Sequence, residues 1–265
     1  MKTQFLLLLL GGLLLGNFSL VNAQNKSNQL SLSYGFSYNL KFDAVYSRLP
    51  RSGFNHAGNL TYNHIHEKRW IAASLDFSTG LLGVNGSRIS QLGTYAGALS
   101  LKYLFRIAPE KIQLEQLALY VGVSAGLRGE IWFPQRTVLN YGWDINTGLG
   151  LAVGLNYQLH EKWTLQYQLD FHGLGIVWRP HNNGQQLITE ELQKEQGTLA
   201  AAFETPRFAH WGNTIYMTHA LKVNYAIHPK IDLYYQFILD YRHINVPLVR
   251  KGYDLKHLIG ITYKF

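Results

Sequence analysis

The sequence predicts an all-β fold, an antiparallel up-and-down transmembrane β-barrel of about ten strands. Apolar residues make up 47% of the 265 residues, but they are dispersed in segments that alternate apolar and polar side chains. Successive side chains of a strand point to opposite faces, so such segments indicate strands with one apolar and one polar face. After residue 23, no apolar run is long enough for a membrane-spanning helix. Dispersed alternation without long apolar runs is typical of a barrel that spans a membrane.

A targeting segment is predicted at residues 1–23. Lys2 precedes an apolar run from Phe5 to Leu15, and the small residues in Val21-Asn22-Ala23 are typical of a cleavage site. The apolar run is too short to favour a retained spanning helix. We therefore expect a secretory signal peptide at 1–23 and a single barrel domain over 24–265. The absence of cysteine excludes disulfides and a lipid anchor on an N-terminal cysteine.

Ten segments carry the alternating pattern. In the first of them, Leu30, Leu32 and Tyr34 alternate with Ser31, Ser33 and Gly35. The predicted strands cover residues 29–40, 58–66, 70–81, 94–107, 117–133, 143–159, 163–173, 214–227, 231–242 and 254–265. An even number suits a closed antiparallel barrel, in which the last strand pairs with the first.

The connections between these strands alternate in length. Tight turns are predicted at 66–70, 160–163 and 228–231, with a connector at 109–116, and longer loops at 41–57, 82–93, 134–142, 174–213 and 243–253. Short turns at one end and long loops at the other are typical of an outer-membrane barrel. The longest loop, 174–213, contains a predicted short helix at 189–202 and four glutamates. We expect this loop to contact an external ligand or to plug the pore.

The outward aromatic side chains are expected to form two bands, as at the two interfaces of a membrane. The band at the short-turn ends comprises Trp70, Tyr103, Phe105, Tyr157, Trp163, Tyr225, Tyr263 and Phe265. The band at the loop ends comprises Phe36, Tyr38, Phe77, Tyr95, Phe133, Phe171, Tyr241 and Tyr253. A soluble periplasmic β protein, a further alternative, gives no reason for such bands.

The last strand has one apolar face, and the chain ends on an aromatic residue of that face. Ile259, Ile261, Tyr263 and Phe265 alternate with polar or small residues. This ending resembles the terminal strand of bacterial outer-membrane β-barrel proteins, where a final Phe after alternating apolar residues is the assembly signal. The resemblance implies that the barrel assembly machinery reads Tyr263 and Phe265. It also implies a location in the cell outer membrane of a Gram-negative bacterium, without indicating a subfamily.

The polar faces of the strands are expected to line the lumen. Charges of both signs occur there, and an unpaired buried charge is costly, so we expect them to pair and fill a narrow interior. The predicted lumen ion network contains Lys102, Arg106, Arg128, Lys222, Asp240 and Arg242.

Two pairs of residues are candidates for catalysis. Glu130 and Asp144 flank the 134–142 loop, and a symmetric hairpin places them opposite each other with Arg128 beside them. Two close carboxylates can divide into an acid and a base. Asp170 and His172 share one strand face, and a carboxylate that orients an imidazole is half of a general-base apparatus. This pair resembles the Asp-x-His of the ten-stranded omptin proteases. The paired aspartates of that family have no counterpart here, so its function does not carry over.

Further signals narrow the expected partners and cofactors. The sequence has no phosphate or cofactor motif, and of its eleven histidines His66, His160 and His228 recur at three equivalent turns, which indicates a role in the turns, so neither a cofactor nor a metal is predicted. The formal net charge of +8 comes from scattered lysines and arginines, which favours contact with outer-membrane lipid headgroups and not with nucleic acid. The sequence thus predicts a structural, surface-binding or narrow-channel role without catalysis. The alternative is a membrane-embedded hydrolase that uses carboxylate and histidine residues of the lumen or rim.

Overall fold

The computed structural model describes residues 26–43, 47–84, 91–107, 116–134, 142–179, 206–245 and 249–265. The predicted signal peptide and the predicted helix at 189–202 lie outside these residues. Within the described ranges, no helix is long and apolar enough to cross a membrane.

The described residues form eleven β-strands. Their bounds are β1 Lys26–Asp43, β2 Ser47–His66, β3 Arg69–Leu82, β4 Leu92–Arg106, β5 Leu117–Pro134, β6 Gly142–His160, β7 Trp163–Trp178, β8 Pro206–His210, β9 Thr214–His228, β10 Ile231–Asn245 and β11 Val249–Lys264. All are long except β8, which has five residues.

The long strands close into a ring of ten. Each pairs antiparallel with its neighbours, β6 pairs with β7, and β7 pairs with β9. The ring closes where β1 pairs with β11, with Leu32 opposite Ile261. The stagger of the barrel can be counted by stepping from each residue to its direct partner on the next strand. Starting from Tyr157 of β6, one full circuit of the ring returns to Ile145 of the same strand, so the stagger is twelve residues. Such a stagger corresponds to a strand tilt of about 40°. The predicted ten-stranded antiparallel barrel is confirmed.

The strands reach further than predicted at the loop ends. The predicted loops 41–57 and 243–253 are largely strand, because β1 continues to Asp43, β2 begins at Ser47, β10 ends at Asn245 and β11 begins at Val249. The predicted loop 174–213 is wrong at both ends, which form the end of β7 and all of β8. Most of these segments are polar and contain Pro or Gly, which favoured loops; the end of β7, Leu174 to Trp178, is apolar. A barrel wall that extends beyond the hydrocarbon needs no apolar outer face, so its polar residues remain compatible with strand pairing.

The short strand β8 continues the line of β9 after a tight turn. Leu174 of β7 pairs with His210, and His172 pairs with Tyr216. One residue of β7, Gly173, therefore lies opposite the five residues 211–215. The amide of Asn213 donates to the carbonyl of His210 at 2.8 Å and closes the turn. The indole of Trp211 lies directly over Gly173, where any side chain would collide with it. Glycine is therefore required at position 173.

The barrel is apolar outside and polar inside. Large apolar side chains such as Ile259, Leu75 and Val123 are exposed on the outer face, whereas Ser31, Asn59 and Asp240 are buried in the lumen. An apolar exterior on a closed barrel is a surface for lipid. This architecture is that of an outer-membrane barrel protein, and it confirms the predicted location.

Trp70 corrects one of the aromatic predictions. It does not lie on the outer face but in the lumen, where it is wholly buried with Leu104 and Tyr120. Its ring meets Tyr120 edge-on with centroids 5.6 Å apart, and its Nε1–H donates to Asn63 Oδ1 at 2.9 Å. The alternation of β3 places Trp70 on the same face as Ala72, so the period outweighs the preference of Trp for the interface. Gly154 provides space for the ring, because a Cβ there would lie 2.9 Å from it.

Replacement of Trp70 by Ala should reduce the free energy of unfolding by about 3 kcal/mol, the scale of losing a large buried ring. Trp70→Phe retains most of the packing and loses only the bond to Asn63, so it should cost about 1 kcal/mol. Urea unfolding of the barrel in lipid vesicles, followed by tyrosine and tryptophan fluorescence, measures both. Equal costs for the two variants would show that packing of Trp70 does not stabilise the lumen.

Candidate functional site

The lumen is divided along its axis into three parts. The lower layer, at the end of the barrel with the C-terminus, is built around Trp70. The upper layer, at the opposite end, is built around Glu130. Between them lies a polar chamber of about 140 Å³ that is lined by side chains of all ten ring strands. We describe each part from the residues that form it.

Glu130 is the centre of the upper layer. Its carboxylate forms ion pairs with Lys41 of β1, with Arg242 of β10 at 3.0 Å and with Arg250 of β11 at 2.7 Å. Only 1% of Glu130 is exposed. Side chains thus crowd the lumen at this level, where a cavity of about 30 Å³ lined by Lys41, Glu130 and Arg250 remains. Three cations around one carboxylate provide the pairing that a buried charge requires.

Asp144 lies directly opposite Glu130 on the paired strands β5 and β6, as the hairpin argument predicted. The guanidinium of Arg250 forms ion pairs with both carboxylates. Arg128 was expected beside them, but it contacts Asp240 at 3.4 Å and Asp254 at 3.5 Å. The two carboxylates therefore share a cation, an arrangement that keeps both charged and does not divide them into an acid and a base.

Several residues of the upper layer were not predicted as lumen residues. Lys41, Asp43, Arg179 and Arg250 all fall in segments predicted as loops. Asp43 forms an ion pair with Arg179 at 2.6 Å, and Arg250 also lies over the ring of Trp132 at 4.7 Å. Lys41 continues the inward period of Ser37 and Asn39, and extending that period past residue 40 would have identified it.

The predicted ion network is distributed between the layers and the chamber. Arg242 belongs to the upper layer, while Asp240 accepts from Lys256 at 3.0 Å, from Arg128 and from Thr218 Oγ1 at 2.7 Å in the chamber. Lys222 bonds instead to two hydroxyls, Ser31 Oγ and Thr262 Oγ1, each at 3.0 Å, and lies 3.8 Å from the ring centre of Tyr234. Arg106 forms no ion pair with any described carboxylate. The network is thus a set of local clusters.

Asp170 and His172 both face the chamber, but they have different partners. Asp170 forms an ion pair with Lys102 at 2.7 Å. His172 Nε2 forms a 2.8 Å hydrogen bond with the hydroxyl of Ser124 on β5. No hydrogen bond joins the two residues in the described part of the chain. The structure therefore brings His172 to a serine that the sequence did not single out, since the two lie on strands that are not adjacent.

The lower layer fills the other end of the lumen. Trp70, Leu104 and Tyr120 occupy one side, and Asn63, Asn224 and Thr262 occupy the rest; all are buried. Below them, Lys264 forms an ion pair with Asp232 at 2.7 Å. Side chains thus narrow the lumen at both ends of the chamber.

Two of the turn histidines and the chain end have roles outside the lumen. His66 and His228 each accept, through Nδ1, the backbone amide two residues later, at 3.4 and 3.3 Å, and so support the turns that they begin. The described residues contain no group of three or more His, Asp or Glu side chains that could hold a metal ion. Tyr263 and Phe265, the predicted assembly signal, stack on each other at 5.9 Å at the lower end of β11.

Glu130→Gln should destabilise the barrel by about 3 kcal/mol or more, because it leaves three buried cations without their shared carboxylate. Asp76→Asn is the matched control, since Asp76 is less buried and its partner Lys256 lies 3.7 Å away and retains Asp240. It should cost well under half as much. Unfolding by urea in vesicles measures both. If the two variants lose the same stability, the upper layer does not depend on Glu130.

Comparison with known proteins yields only structural likenesses. No family model matches the chain, and no curated protein matches it. The chain is similar to the outer membrane protease OmpT from Escherichia coli (9% identity, 94% of this chain and 99% of the other, TM-score 0.49). It is also similar to the translocator domain of the autotransporter NalP from Neisseria meningitidis (10%, 100% and 95%, 0.42) and to Ail, the attachment invasion locus protein of Yersinia pestis (12%, 92% and 100%, 0.35). At these identities and scores the likenesses carry no argument about activity, and the barrel rests on its own strand pairing.

Proposed function

We propose that this protein is an outer-membrane barrel with a closed lumen, which acts as a structural or surface-binding protein and not as an open channel. The observation that supports this proposal most directly is the burial of Glu130 among Lys41, Arg242 and Arg250, which narrows the lumen at the upper layer. The lower layer around Trp70 adds a second barrier. A hydrated ion that crossed the lumen would have to break several buried ion pairs.

The same proposal extends to the partners. Outer-membrane lipid contacts the apolar exterior, and the barrel assembly machinery binds the terminal strand through the face that carries Tyr263 and Phe265. An external ligand binds the connection between β7 and β8, within the stretch 174–213. This connection contains Glu190, Glu191 and Glu195, so the ligand would carry positive charge.

The second candidate function is a membrane-embedded hydrolase. Of the two predicted catalytic pairs, Glu130 and Asp144 are held by a shared arginine, which favours a structural role. The pair Asp170 and His172 is more open to chemistry, because His172 contacts the hydroxyl of Ser124. This contact alone supports the second candidate.

Conductance in planar lipid bilayers tests the closed lumen. The purified wild-type barrel should give no stable unitary steps, because both layers block the passage of ions. Stable steps from the wild type would contradict the proposal if their size changed in a variant of the chamber wall such as Gln236→Glu. Steps whose size is the same in the wild type and in this variant arise outside the lumen, so they would not contradict the closed lumen.

A further inference from the structure

Ser124 and His172 are surrounded by residues whose placement a purely structural hydrogen bond would not require. Lys102, Ser124, Gly150 and His172 occupy directly paired positions on β4, β5, β6 and β7. They therefore form a single row across the chamber wall. The imidazole of His172 reaches across β6, over Gly148, to the Ser124 hydroxyl, which it meets at 2.8 Å.

The imidazole is also held in place by glycines on the neighbouring strands. A Cβ at Gly126 would lie 3.2 Å from the His172 ring, and a Cβ at Gly148 would lie 3.1 Å from it. The ring thus rests on backbone at two positions where any side chain would crowd it. In a Ser–His–Asp triad a carboxylate fixes the imidazole. Here the backbone at Gly126 and Gly148 fixes the position of the ring, and Asp170 forms an ion pair with Lys102 at 2.7 Å instead.

Lys102 completes the arrangement. It is the direct cross-strand neighbour of Ser124, and its ammonium group bonds to Gln168 Oε1 at 2.6 Å as well as to Asp170. Lys102 and His172 line the chamber, and Ser124, only 3% exposed, adjoins it through its hydrogen bond to His172. A cation on the residue paired with the serine can stabilise negative charge on an oxygen bound to the carbon or phosphorus that the serine attacks.

We propose that Ser124 is a nucleophile, that His172 is its general base, and that the chamber accepts small carboxylic esters. In the tautomer with Nε2 unprotonated, the Ser124 hydroxyl donates to His172. Attack of Oγ on the ester carbonyl carbon transfers the hydroxyl proton to Nε2 and places the electron pair of the C=O bond on oxygen, beside Lys102. Collapse expels the alkoxide, which takes the proton from His172 and leaves as the alcohol. Water then attacks the acyl-serine in the same way and releases the carboxylic acid.

The size of the chamber limits the substrate. A volume of about 140 Å³ holds roughly ten water molecules, at about 10–15 Å³ for each. This space suits an ester of about ten non-hydrogen atoms and excludes a phospholipid. The enclosing layers must yield for such a molecule to enter, so access and chemistry have to be tested separately.

Labelling by diisopropyl fluorophosphate tests the chemistry without a known substrate. Attack of Ser124 Oγ on phosphorus forms an O–P bond and expels fluoride, while the hydroxyl proton passes to His172. Intact-mass and peptide mass spectrometry of the folded barrel should locate one adduct, on Ser124. His172→Gln should slow labelling at least about 100-fold although Ser124 remains, the scale of losing a general base. Ser100→Ala removes another lumen serine, opposite Gly126, and should leave the rate unchanged.

The variant Trp70→Ala separates access from reactivity, because it opens the lower layer and leaves the row of β4 to β7 intact. It should label Ser124 faster than the wild type. Three results overturn the proposal: no adduct on Ser124 in either protein, labelling of Ser100 as fast as Ser124, or labelling of Ser124 that does not change in His172→Gln. In these cases the Ser124–His172 bond only satisfies buried polar groups. The conductance result does not depend on the outcome, so the two proposals fail separately.

Discussion

Inside a bilayer no water is available to bond with backbone amides and carbonyls, so each strand must have a partner on both sides. The pairing of β1 with β11, which spans Gln29 to Asp43, meets this requirement for the two ends of the sheet. The other features depend on this closure. A ring of ten strands has a fixed and narrow interior. Inward side chains from strands that are not neighbours then come within bonding distance, as Lys222 of β9 does with Ser31 of β1.

A narrow interior of this kind holds charge only when the charges are paired. Glu130 connects β5 with β1, β10 and β11, strands that lie on the far side of the ring. Its ion pairs therefore brace the barrel across its diameter, which the backbone ladder cannot do. Trp70 fills one side of the lower end by apolar packing against Tyr120. The chamber between these two layers is the part of the interior that side chains do not fill, and it is there that Ser124 and His172 meet.

The sequence predicted the barrel well because its period of two is physically enforced on every strand. One face of Leu30 to Leu40 meets lipid and the other meets the lumen, so the pattern is strict. The extent of the strands was harder to predict, since beyond the hydrocarbon nothing requires an apolar outer face. Lys41 and Arg250 were missed for this reason. The contact of Ser124 with His172 could not be predicted, because it depends on the strand register and on a glycine of the strand between them. Glu130 and Asp144 were found opposite each other because they flank one hairpin.

The short strand β8 has a consequence for how the protein can vary. Among the described residues its ladder bonds are all to β7, and the turn at 211–213 separates it from the ring strand β9. Residues added to or removed from the connection between Trp178 and Pro206 therefore shift only the hairpin of β7 and β8. The register of the ten ring strands is set below this point, by the pairing of Trp163 to His172 with Tyr216 to Tyr225. This part of the chain can thus change in length and sequence while the membrane-spanning wall stays the same.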